Sequence, residues 1–224
     1  TCFLALSCLM LGTLEEAERH LEVLLGPVPV GDTLESFAKL YRIAYHVARG
    51  APEQAILEAG ALLSDDHKGD SSLVRTTVYL FLSHAHLMLG QIDEAEQAHN
   101  RSGAKGSGVW SNEIEAQIIQ AMILLARGQA AEAVRLAEEF VSSCRHGTSY
   151  KYVRIGIGLL TRAEAYHALG NHEMAKVAIR DARDELLARA KEIDDPACRQ
   201  IFLERVSVHA RTLMLAREWL GEAA

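Results

Sequence analysis

Three features of the sequence predict an all-α fold, a solenoid of about five helical hairpins closed by a C-terminal capping helix. First, a glycine followed five residues later by an alanine recurs as Gly12…Ala17, Gly50…Ala55, Gly90…Ala95, Gly128…Ala133 and Gly170…Ala175. Those glycines stand 38, 40, 38 and 42 residues apart, and self-similarity with a period of about 20–50 residues marks a stacked repeat. Second, the stretches on either side of each glycine carry apolar residues at i, i+3, i+4 and i+7, the spacing of one buried helical stripe; in the stretch after Gly12 these are Leu14, Ala17, Leu21, Leu24 and Leu25. Third, 49% of the 224 residues are hydrophobic, only four are proline and 6% are aromatic, which suits helices packed through Ala and Leu.

The elements follow in order. Repeat one (1–26) reads as helices over 2–11 and 14–25, stopped by Gly26-Pro27-Val28-Pro29 because proline cannot supply an interior N–H. Repeat two (32–64) pairs a helix over 34–49, with Asp32 or Thr33 as its N-cap, with one over 53–63, where Pro52 sits at a tolerated first-turn position. A polar connector, SDDHKGDSS, leads to repeat three (71–102), with helices over 73–89 and 92–100. The following RSGAKGSG has the glycines of a phosphate cradle but not the order GK[ST], and no strand precedes it, so no nucleotide site is assigned there. Repeat four (110–145) has helices over 112–127 and 130–144, and repeat five (149–194) over 150–169 and 172–193. Asp195 and Pro196 read as N-cap and first residue of a capping helix over 196–220, which no further Gly…Ala pair follows. The whole of 1–224 is thus expected to be one array, and a start inside a repeat without methionine suggests a piece of a longer protein.

Small residues let two antiparallel helices approach, so the five alanines are expected at the hairpin contact. Each glycine permits the left-handed conformation at a helix C-terminus that other residues enter at a cost. The units ALSCLMLGTLEEAERHLEVL, LSHAHLMLGQIDEAEQA and TRAEAYHALGNHEMAKVAI resemble tetratricopeptide repeats, with the likeness weaker in repeats two and four. That resemblance implies a right-handed superhelical solenoid that binds peptides or neighbouring domains and has no catalytic residues of its own. The period near 40 rather than about 34, the missing early tryptophan and the missing closing proline depart from the family pattern. Longer repeats of this kind are similar to the C-terminal arrays of bacterial signal-transduction ATPases. Residues 193–220 resemble the end of large proteins that join a serine/threonine kinase or a cyclase to an ATPase and a repeat array.

Chemistry is sparse. His84 and His86 form an HxH pair, but i and i+2 on a helix point about 200° apart and cannot share a metal. His46 and His86 each precede a turn glycine by four residues, which favours a packing role between the helices of a hairpin. Glu164 and His167 share a helical face without a third ligand. Nucleophile-elbow, P-loop and catalytic-cysteine signatures are all missing, so neither an enzyme nor a cofactor or metal is expected. A net charge of −7 argues against a nucleic-acid partner, and the basic cluster Arg145, His146, Lys151 and Arg154 reads as a solvated helix end. Apolar runs fall short of the roughly 18–20 residues of a membrane span. Cys2, Cys8, Cys144 and Cys198 lack CxxC pairing, so reduced thiols in a cytoplasmic protein are expected.

With the register set by the resemblance, the first helices present Phe37 and Tyr41; Thr77, Leu80, Phe81, His84 and Met88; and Ile118, Ile119 and Met122 on the concave side. Such an apolar, Met-containing groove, without a Lys/Arg ladder, suits an amphipathic helix or a neighbouring domain of the same chain; alternatively a tightly wound solenoid buries this stripe. The expected function is a non-catalytic protein- or peptide-binding domain, the sensing or docking region of a larger bacterial signalling protein. A free-standing scaffold or chaperone adaptor, or the regulatory repeats of a transcription activator, is the alternative.

Overall fold

The computed structural model describes residues 4–5, 8–9, 13–26, 32–64, 72–104, 110–145 and 155–221. Eleven helices are described: α1 (Leu14–Leu24), α2 (Asp32–Ala48), α3 (Pro52–Ser64), α4 (Ser72–Met88), α5 (Ile92–Ser102), α6 (Trp110–Ala126), α7 (Ala130–Arg145), α8 (Ile155–Ala168), α9 (His172–Lys191), α10 (Pro196–Glu204) and α11 (Ser207–Leu220). The fold is all-α, and its helices pair as repeat hairpins. Asp32 and Thr33 lie inside the first turn of α2 rather than ahead of it. Gly12, most of the expected 2–11 helix, residues 150–154 at the start of repeat five, the 105–109 loop and His146, Lys151 and Arg154 lie outside the described residues.

The hairpin turn is one device used four times. Gly50, Gly90, Gly128 and Gly170 have φ of 78°, 71°, 76° and 79°. Their amides donate to the carbonyls of Val47, Leu87, Leu125 and His167 at 2.9–3.2 Å. The next amide, of Ala51, Gln91, Gln129 or Asn171, reaches back five residues to His46, His86, Leu124 or Tyr166 at 2.8–3.0 Å. This pair of bonds satisfies carbonyls that a helix end would leave open. The same five-residue bond joins the Thr13 amide to the Cys8 carbonyl in repeat one. Ala17, Ala55, Ala95, Ala133 and Ala175 are all buried, at 0–1% exposure.

The chain divides into two compact units, Thr1–Ala116 and Gln117–Ala224, the division falling inside α6. In the first, α4 packs on both helices of the α2–α3 hairpin. Leu40, Ile43 and Val47 of α2, Ala55, Ala59 and Leu62 of α3, and Val74, Val78 and Ala85 of α4 form its main core. A second cluster joins Ala5, Cys8, Leu14, Ala17 and Leu21 to Tyr45. In the second unit α7, α8 and α9 pack in succession, with Phe140, Leu159 and Ile179 fully buried. Gly158 lets α8 pass directly over the Phe140 ring, which a Cβ there would overlap.

The capping helix is not continuous. It breaks at Arg205 and Val206, giving α10 and α11, because Val206 is extended (φ −80°, ψ 116°). His209 Nδ1 lies 2.7 Å from the Phe202 carbonyl and satisfies an acceptor at the end of α10. Without that side-chain bond the chain would have to continue its helix to use the carbonyl. Asp195 caps α10 as expected, accepting from the amides of Ala197 and Cys198, and these bonds hold its carboxyl below the ordinary value. α11 packs on α8 and α9 as α4 packs on α2 and α3.

Candidate partner-binding face

The turn glycine provides a ruler for the first helix of each hairpin. Residues twelve, ten, seven and five before it are buried in every complete hairpin: Ala38, Leu40, Ile43 and Tyr45; Val78, Leu80, Ser83 and Ala85; Ala116, Ile118, Ala121 and Ile123; Gly158, Leu160, Ala163 and Ala165. Two flanks are therefore covered. The flank seven residues before the glycine meets the hairpin's own second helix, as Ser83 Oγ shows by donating to Ala95 O at 2.7 Å. Residues thirteen, nine, six and two before the glycine form one of the two stripes left between them; the other, eleven, eight and four before it, carries Lys39, Arg42 and His46 on α2.

In the first unit the former stripe holds Phe37, Tyr41, Ala44 and Ala48 on α2 and Thr77, Phe81, His84 and Met88 on α4, half-buried except for the exposed Met88. The Phe37 and Tyr41 rings lie 6.2 Å apart, and both, with Phe81, lean on the core. In the second unit Met122 is half-buried. Three predicted face residues belong instead to the interior: Leu80 at 0%, Ile118 at 1% and Ile119 at 2% exposure. Leu80 and Ile118 stand ten before the glycine, on a flank that packing covers, which a stripe drawn from one helix in isolation does not reveal.

His46 and His86 serve their own hairpins. His46 Nε2 lies 3.2 Å from Glu58 Oε1 of α3, and Arg42 Nε donates to Glu58 Oε2 at 2.6 Å. His86 Nδ1 meets Gln91 Oε1 of its own turn at 2.7 Å. Glu164 and His167 are engaged separately by α11: Arg211 Nε donates to Glu164 at 3.0 Å, while His167 stacks on Trp219 at 4.4 Å. Among the described residues no group of three or more His, Cys, Asp or Glu could hold a metal. No described helix is long and apolar enough to cross a membrane.

The sequence reading missed a polar groove in the second unit. It has a volume of about 420 Å³ and is lined by Glu138, Arg162, Tyr166, Met174, Val177 and Asp181, among others. Arg162, 7% exposed, bonds Asp181 of α9 and faces Glu138 of α7. The Tyr166 hydroxyl donates to Glu138 Oε1 at 3.0 Å; burial and then that carboxylate push its pKa up. One signal was available: Arg42 and Arg162 both stand eight residues before a turn glycine, and each meets a carboxylate of its own second helix.

A family model for the tetratricopeptide repeat matches residues 1–22, 77–98, 114–139 and 157–181. No curated protein and no solved structure matches the chain. Each family match straddles a turn glycine and its buried alanine, in repeats one, three, four and five. Repeat four is thus matched despite its weaker likeness, and repeat two is not. With its shared turn geometry and these four matches, the chain is a tetratricopeptide repeat protein, built of repeats whose general role is protein–protein interaction.

Proposed function

We propose that this is a non-catalytic protein- or peptide-binding domain and that the first-unit stripe of Phe37, Tyr41, Thr77, Phe81, His84 and Met88 is its docking face. The observation that supports this reading is the recurrence, at equivalent positions of α2 and α4, of partly open side chains with no carboxylate, Lys or Arg among them. Such a surface suits the apolar side of an amphipathic helix or a neighbouring domain, and it offers no clamp for a charged chain terminus. The further reading is that the domain senses or docks within a larger cytoplasmic bacterial signalling protein that carries a serine/threonine kinase or an ATPase. That proposal rests on the likeness of residues 193–220 to the ends of such proteins.

Met88→Glu and Met88→Lys place charge of either sign on the stripe at its exposed residue. Both variants are expected to keep the helicity and melting temperature of the parent while losing partners that the parent captures from a bacterial lysate, read by mass spectrometry. Equal capture by parent and variants would overturn the assignment of the face.

A further inference from the structure

The break between α10 and α11 is held by a single imidazole. His209 is 7% exposed, and its ring lies 4.3 Å from that of Phe202, the buried centre of a cluster with Leu186 and Ala190 of α9. A carbonyl only accepts, so the 2.7 Å contact with Phe202 O places the ring hydrogen on Nδ1. Nε2 is left facing α8 at Gly156, where an added Cβ would stand 4.0 Å away.

The charged groups around this ring do not favour a second proton. From α9, Arg189 lies 5.7 Å from the Phe202 ring centroid and repels a cation at His209; Glu185 and Glu192 act on Arg189. On α8, Glu164 is bound to Arg211 of α11; on α10, Glu204 is bound by Gln200, and Arg205 follows at the break. Burial, only partly offset by the Phe202 bond, lowers the His209 pKa from its ordinary 6.5 to about 4.

We propose that His209 is a proton-sensitive latch: the neutral ring seats α10 and α11 against the α8–α9 hairpin, and a second proton, on Nε2, turns the buried ring into a cation whose hydration draws α11 away, the Nδ1 donor to Phe202 being kept in both states. Release would separate Trp219 from His167 and Arg211 from Glu164, and would lift Leu213 from the cluster of Leu186, Ala190 and Phe202. The segment would thereby become a strap over the edge of the last hairpin, opened by acid and reclosed by base.

The test is an acid titration from pH 8 to pH 4 of the full chain carrying Trp110→Phe, which leaves Trp219 as the single indole. Trp219 emission is expected to shift to that of a solvent-exposed indole between pH 6.5 and 4, while amide protection around Ala133 and Ala175 persists. His209→Gln, whose amide can still donate to Phe202 but takes no proton, is expected to delay that shift by at least one pH unit. An unchanged profile in His209→Gln, or loss of Trp219 burial and of total helicity in one transition, would overturn the latch. Should His209→Gln fail to seat α11 at pH 8, the wild-type His209 ring resonance decides: titration together with the Trp219 shift supports the proposal, and titration above pH 6 with Trp219 still buried sinks it.

Discussion

Gly90 and Gly158 are both glycines for reasons that a single added methyl group separates. At Gly90 nothing lies within 4 Å of an added Cβ, so Gly90→Ala meets only the strain of a left-handed backbone, expected to lower unfolding free energy by about 1 kcal/mol. At Gly158 the methyl would enter the ring of Phe140, which itself is 0% exposed, so Gly158→Ala is expected to cost about 1–3 kcal/mol through overpacking. Urea denaturation distinguishes the two, because Phe140→Leu should recover part of the Gly158→Ala loss and none of the Gly90→Ala loss. Arg162 offers a third residue-scale test. Replacing it with Leu removes a cation from beside Asp181 and Glu138, both of which are more than a third exposed, and a loss of about 0.5–1 kcal/mol is expected from the same measurement. None of this was visible in composition. Gly158 lacks a turn signature, and the partners of Arg162 lie 19 and 24 residues away, on helices α9 and α7 that only folding brings to it.

At the scale of the element, α10 and α11 carry the clearest pH dependence. The folded-state pKa of His209 is depressed, so the unfolded chain binds the additional proton between pH 6.5 and about 4. Stability from this group is fully present above pH 6.5 and is lost as the pH falls toward 4, by about 3 kcal/mol at most. Chemical denaturation at pH 7.5 and pH 5 checks the sign, and His209→Gln should flatten that part of the difference. The break that creates this site was illegible because Arg205-Val206-Ser207 contains neither Gly nor Pro. A tertiary bond from a residue further on, His209 to Phe202, decides that the helix stops. By contrast the hairpin helices were legible nearly to their ends, because each end is written locally, in a glycine that closes one helix and in Asp195-Pro196 that opens another.

Across the whole molecule, legibility follows the range of the interactions. The repeat was readable because its turn needs only neighbouring residues, and its alanine needs only the helix across the turn. For the residues expected on the concave side the outcome is one of burial alone. Phe37, Tyr41, Thr77, Phe81, His84, Met88 and Met122 keep some exposure, whereas Leu80 and Ile118 sit on a flank that packing covers. A helical wheel gives the angle between side chains but not how many of its sides are covered.

The stripe on α2 and α4 has no carboxylate, Lys or Arg among its residues, although the chain as a whole carries −7. An occupant of such a face makes no ion pair within the stripe, so its affinity should change little with salt, and any steering would come from the net charge of −7 carried elsewhere on the chain. Its calorimetric mark would be a negative heat capacity of binding, which a clamp built from ion pairs would not give. Titration calorimetry at low and high ionic strength, repeated at several temperatures, would therefore report the chemistry of this surface: recognition by dehydration alone, indifferent to the ionic composition of its surroundings.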